Sequence, residues 1–160
     1  MEVHEARWDL VDSGEEPLSL RPGDKVVDAL DVADLESEAL HAFDQSGSYP
    51  TWTVASLLHD GEREYADGGR THRSLDRFEL QLPRGGGALL ARVGAPERAL
   101  RLGAFVEGRA LGSVELEQGQ TEELRFSLPA DLEGRRKVEL RAQGAGEFSA
   151  YHCWSVAQEP

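Results

Sequence analysis

The stretch ALRLGAFVEGRALGSVEL, Ala99 to Leu116, decides the fold. Leu100, Leu102, Ala104 and Val106 recur at a spacing of two, which places them on one face of an extended strand. Glu107-Gly108 follows, and a glycine in the second turn position accepts the positive φ of a tight two-residue hairpin. The stretch therefore predicts a β-hairpin with one apolar face.

Runs on both sides share its alternation. Phe78, Leu80 and Leu82 alternate with Arg77, Glu79 and Gln81; Leu124, Phe126 and Leu128 with Glu123, Arg125 and Ser127; Val138, Leu140 and Ala142 with Lys137, Glu139 and Arg141. Each of these strands has one wet face. Ala88 to Val93 and Phe148 to Val156 are apolar on both parities, the mark of strands covered on both faces. Earlier in the chain, Lys25 to Val32 and Thr51 to Leu58 read as strands. Ala39, Leu40 and Phe43 fit a helical turn or a strand, and are taken as a strand. Turns are expected at Arg21-Pro22-Gly23-Asp24, Ser46 to Pro50, Asp60-Gly61 and Asp67-Gly68-Gly69. Glu62 to Ala66 is expected to pair back on Thr51 to Leu58, bringing Tyr65 near Trp52. Val3 to Val11 could open the chain as a strand, within a loosely patterned segment over 1–24.

About ten strands at intervals of roughly 8–12 residues, without a long amphipathic helix, predict an all-β fold: an antiparallel two-sheet β-sandwich, a jelly roll, as a single domain over 1–160. No repeat of about 20–50 residues is present, which argues against a propeller or solenoid.

Lys and Arg number 17 against 30 Asp and Glu, for a formal charge of −13. That charge repels a phosphate backbone or an anionic bilayer, so nucleic acid is excluded as a partner, while glycans, cations and basic protein patches remain. Cys153 is the sole cysteine, so no intrachain disulfide forms; lying in an apolar run without a neighbouring basic cluster, it is expected to be buried and inert. No run of about 18 apolar residues exists, which argues against direct membrane insertion, and the N-terminus lacks a basic segment followed by an apolar one.

The order FELQLP, GALLARVG, LRLGAFVEGRALGSVEL, LRFSLPADL, KVELRAQG and YHCW resembles the galactose-binding-like and carbohydrate-binding-module jelly rolls. Asp31-Val32-Ala33-Asp34 with Glu38 and His41, then Asp67-Gly68-Gly69-Arg70 and Tyr151-His152-Cys153-Trp154, is more specifically similar to β-sandwich domains at the ends of bacterial membrane glycosyltransferase-like proteins. The resemblance spans Asp28 to Val156. It implies an extracytoplasmic accessory domain of a larger parent, although this chain carries no membrane segment.

Two constellations could carry binding. Tyr49, Trp52 and Tyr65 lie close in sequence to Asp60, Glu62, Arg63, Asp67 and Arg70; sugar recognition uses a flat ring against the apolar sugar face with polar side chains on the hydroxyls. Trp52 could instead serve the core. The second is the acidic group Asp28, Asp31, Asp34, Glu36 and Glu38. Hard oxygens there could hold a structural Ca²⁺, with Asp31, Asp34 and Glu36 as candidate ligands, although the DxDxDG spacing is absent and a solvated acidic edge would look the same. No other cofactor is indicated.

His4, His41, His59, His72 and His152 show no paired zinc spacing, and no GxSxG elbow or phosphate-binding Gly-Lys-Ser/Thr element is present. The sequence thus reads as a non-catalytic carbohydrate-binding or accessory module. The alternatives are a protein-interaction or structural sandwich docking on its parent chain, and a small metal-dependent sandwich enzyme. The last requires a histidine such as His72 or His152 to converge with a carboxylate such as Glu79.

Overall fold

The computed structural model describes residues 11–12, 15–56, 64–144 and 146–159. Its elements are β1 (Val11–Asp12), β2 (Asp24–Asp31), α1 (Leu35–Leu40), β3 (Ser48–Ser56), β4 (Glu64–Arg73), β5 (Leu75–Leu82), β6 (Gly87–Gly94), β7 (Leu100–Val106), β8 (Arg109–Leu116), β9 (Thr121–Leu128), β10 (Gly134–Gln143) and β11 (Glu147–Gln158).

The hairpin forms as read. β7 and β8 pair antiparallel around Glu107-Gly108, and both turn residues have positive φ, 48° and 79°, the conformation whose twist matches that of the flanking strands. Leu100, Leu102, Ala104 and Val106 are buried. They belong to a four-stranded sheet of order β5-β10-β7-β8. Opposite it stands a seven-stranded sheet in which β11 is central: β6 and then β9 lie along one side, while β4 and β2 share the other, pairing with the first and second halves of β11. β3 flanks β4, and β1 makes a two-residue parallel contact with it. All strand pairs except that contact are antiparallel.

Phe78, Leu80, Leu102, Val106, Val138 and Leu140 from the small sheet meet Leu89, Ala91, Val93, Phe126, Phe148 and Cys153 from the large one. Two β-sheets that each bury one face against the other define a β-sandwich. Cys153 lies in this core, where burial pushes its thiol well above the ordinary value and keeps it protonated.

Three local expectations are overturned. Residues 35–40 form a helix instead of leading into a strand. Asp34 caps it by accepting from the Ser37 amide at 3.0 Å, and the residue it buries is Glu38, while Leu35 and Leu40 face solvent. The Ser46–Pro50 loop is shorter than read, because β3 starts at Ser48 and accommodates Pro50 as a sheet-edge residue. Asp67-Gly68-Gly69 is the middle of β4 and makes no turn. Its glycines serve close approach: a Cβ on Gly69 would lie 2.1 Å from the Ala150 carbonyl oxygen and 2.7 Å from the Tyr151 ring. The register also differs, with Tyr65 opposite Ala55 and Trp52 opposite Gly68. Most of the Val3–Val11 strand, together with Asp60-Gly61, lies outside the described residues.

Because Gly69 sits against backbone that cannot yield, Gly69→Ala is expected to cost about 2 kcal/mol or more, lowering the melting temperature by about 4–8 °C. Thermal unfolding followed by circular dichroism measures this directly.

Candidate functional site

The large sheet has a second, outward face that is also largely buried. Residues 15–23, within the segment read as loosely patterned, form a strap across it. The Leu18 and Ser19 amides donate to Glu123 Oε1, both at 2.9 Å, and the Glu15 carbonyl accepts from Trp154 Nε1 at 3.2 Å. Ala88, Leu90, Trp154 and Val156 form a small apolar cluster on this face, with Ala29 packed against it. The strap is anchored where β2 begins. Asp24 accepts from the Arg21 amide at 2.7 Å and from both Arg125 terminal nitrogens at 2.9 Å.

At the centre of the outward face stands Arg92, a cation inside the apolar run Ala88 to Val93 and 0% exposed. Its Nη1 donates to Asp67 at 2.7 Å, its Nη2 to Glu123 at 2.6 Å and to the Glu16 carbonyl at 3.1 Å. The guanidinium carbon lies 4.1 Å from the Tyr65 ring centre and 4.9 Å from that of Trp154. Two carboxylates and two aromatic faces thus compensate for the lost hydration of one charge. Asp67 Oδ2 also bonds His152 Nδ1 at 2.6 Å, and the His152 ring stacks on Trp154 at 4.9 Å with planes 9° apart. His152 Nε2 faces Asp31 Oδ1 at 3.5 Å. Burial, reinforced by the Asp67, Asp34 and Glu15 carboxylates against the pull of His152, pushes the Asp31 carboxyl up to about 6.

The residues singled out for sugar binding therefore divide. Trp52 is 77% exposed, which overturns a core role, and its indole lies against Gly68. Tyr49 is half exposed and donates to Glu147 at 2.7 Å. Tyr65 is fully buried beneath Arg92, and Asp67 is held by Arg92 and His152. Arg70 is committed to Glu38, with Nε and Nη2 at 2.6 and 3.0 Å from its two oxygens. Tyr65 and Arg70 are committed to interior partners, while Asp67, though paired, also borders the cleft beside Trp52. Asp60, Glu62 and Arg63 lie outside the described residues.

The acidic group disperses as well. Asp28 accepts from the Gln81 amide at 2.8 Å and contacts His41 Nε2 at 2.9 Å, Glu38 pairs with Arg70, and Glu36 is exposed on α1. Of this group only Asp31 and Asp34 border a common cleft, of about 260 Å³, shared with Glu15, Trp52, Ala66, Asp67 and Gly68. On the other side of β3, Thr51, Thr53, Gln120, Thr121 and Tyr151 line a groove of about 240 Å³ without a charged side chain.

His72 and His152 do not converge on Glu79. Glu79 bonds Arg135 at 3.3 Å on the surface. His72 Nε2 lies 2.5 Å from Asp76 Oδ1 deep between the sheets, packed against Phe43 and Phe148. Burial pushes the Asp76 carboxyl up against the pull of His72. Sealed from solvent, this pair cannot meet a substrate. Sequence reasoning missed Arg92, Glu123 and the strap. A lone cation in a run covered on both faces was the available signal, since such a charge must be paired.

No family model and no curated protein matches the sequence. Among solved structures, the CBM22-1–GH10 modules of a Clostridium thermocellum endo-1,4-β-D-xylanase 10B, complexed with xylohexaose, share 11% identity at a TM-score of 0.53; the alignment covers 88% of this chain and 29% of that one. The CBM36-1 domain of a multidomain xylanase from the hindgut metagenome of Trinervitermes trinervoides shares 9% identity at a TM-score of 0.46, covering 71% and 98%. CsCBM6-3 of Clostridium stercorarium, in complex with cellobiose, shares 14% at 0.45, covering 82% and 93%. An arabinoxylan arabinofuranohydrolase from Bacillus subtilis, another match, is covered over only 22% of its length. The β-sandwich fold of this chain is thus shared with the xylanase module structure. Among the described residues no helix is long and apolar enough to cross a membrane.

The Asp24–Arg125 bond provides a pH test of the strap. Arg125 holds the Asp24 carboxyl below its ordinary value, so the unfolded chain binds this proton more tightly than the folded one. The bond's contribution is present above about pH 4 and fades as pH falls through the lowered folded value. Asp24→Asn is expected to lower stability by about 1 kcal/mol at pH 7, a gap that narrows toward pH 3 in denaturant titrations.

Proposed function

We propose that this domain is a non-catalytic carbohydrate-binding module with Trp52 as its stacking platform. The observation that carries this reading is the indole itself: the largest apolar side chain that the described residues leave exposed, laid against a glycine on an edge hairpin. An exposed tryptophan supplies a flat apolar surface for the axial C–H face of a sugar ring. Asp31 and Asp34 in the adjoining cleft are hydroxyl acceptors, and the groove beyond β3 is lined by neutral hydroxyls and an amide suited to polyols. Tyr49 adds a second exposed ring on β3. The fold shared with a xylanase structure containing xylohexaose supports beginning with β-1,4-linked glycans. The net charge of −13 favours neutral over anionic glycans. As part of a larger parent, such a module would deliver a neighbouring domain to its polymer and act outside the cytoplasm.

Titration calorimetry with soluble xylan and cello-oligosaccharides, preceded by a glycan array, tests this. Trp52→Ala is expected to weaken binding at least about tenfold while stability changes by less than about 0.5 kcal/mol, because the indole supports no core. Full affinity in Trp52→Ala would remove the platform; silence of the wild type across the array would remove the reading.

A further inference from the structure

We propose that His152 and Asp31 form a binding site for a borderline divalent transition cation such as Zn²⁺, with Asp67 as the positioning residue behind the imidazole. Asp31 at the end of β2, Asp67 in β4 and His152 in β11 bring one donor atom each to within 4.8 Å of one another. Asp31 and His152 were each singled out from the sequence, but not as partners, because the three residues come from three strands joined only through β11.

The imidazole is fixed in orientation and in tautomer. Stacking on Trp154 sets its plane, and the 2.6 Å bond to Asp67 sets its rotation. A carboxylate can only accept, so Nδ1 donates to Asp67, and Nε2 is the ring atom left to meet a cation. A carboxylate bonded to the far nitrogen of a histidine is the arrangement that orients metal-ligating histidines and raises their basicity. Nε2 makes no hydrogen bond among the described residues; it faces Asp31 Oδ1 at 3.5 Å. At that separation one cation could bind both atoms.

The local charge favours a cation. Arg92 contributes the positive charge of this cluster, against the carboxylates of Asp67, Glu123 and Asp31, and Glu15 lines the same cleft. That cleft, of about 450 Å³, opens beside Asp31, His152 and Trp154, leaving room for water to complete a coordination shell. A nitrogen donor beside carboxylate oxygens suits zinc and its neighbours, whereas calcium takes oxygen alone. The site needs no bound sugar, so the metal test reads it apart from the carbohydrate proposal, with which it shares Asp31.

The test uses the full chain and the metals alone. Zn²⁺ is expected to raise the melting temperature of the wild type by about 3 °C, Ca²⁺ to leave it unchanged, and Co²⁺ to give a visible absorption spectrum that Zn²⁺ displaces. Both the shift and the spectrum are expected to vanish in Asp31→Asn and in His152→Gln, whose amide can still donate to Asp67. Should His152→Gln fail to fold, Asp31→Asn decides, since Asp31 lies at the mouth of the cleft. No Zn²⁺ effect on the wild type, an equal effect on Asp31→Asn, or stabilisation by Ca²⁺ in its place would overturn the proposal; the first of these would leave a proton as the bridge.

Discussion

A single buried guanidinium organises the outward face of the large sheet. Arg92 sits where a strand covered on both sides would ordinarily place another aliphatic residue, and its charge cannot stay there unpaired. The surroundings follow from that constraint. Asp67 and Glu123 supply the countercharge from β4 and β9, Tyr65 and Trp154 supply aromatic faces, and the Glu16 carbonyl recruits the strap. Glu123 then extends the network by receiving the Leu18 and Ser19 amides. Cohesion on this face comes chiefly from directional bonds, while the inter-sheet core is held by apolar packing.

This division explains how a sandwich comes to carry a polar cleft. The inner face of the large sheet is satisfied by the small sheet and leaves nothing to bind. The outer face is covered only in part, by a strap without regular structure, and its margin exposes Asp31 beside the oriented His152. Around the edge, β3 and β4 hold Trp52 away from both layers, free of any packing duty. The proposed sugar platform and the proposed cation site are therefore neighbours that share Asp31: one rests on a glycine at an edge hairpin, the other on the Arg92 network.

What the sequence disclosed follows from the physics of each signal. Period-two alternation reports burial on one face, so β5, β7, β9 and β10 were legible, and continuous apolar runs located β6 and β11 as covered strands. Helix α1 was not, because its inward residue is Glu38 bonded to Arg70 and its leucines face water, the reverse of the amphipathic pattern. Gly68 and Gly69 mimic a turn in sequence, yet they provide space for Trp52 and for the approach of β4 to β11. For the candidate site, Trp52 was singled out as an aromatic near a loop, but its exposure was not legible, since an aromatic on a β-branched strand reads equally as core. Nor was the burial of Tyr65, Asp67 and Arg70, since each depends on partners 25 or more residues away, Arg92 for the first two and Glu38 for the third.

Equilibrium denaturation of Arg92→Met, a substitution close in length but uncharged, tests most directly whether this cation organises the outward face. Loss of about 3–5 kcal/mol is predicted, because Asp67 and Glu123 would be left buried without their countercharge, and adding Glu123→Gln should recover part of that loss. A change within about 0.5 kcal/mol, with the double variant no better than the single, would contradict it.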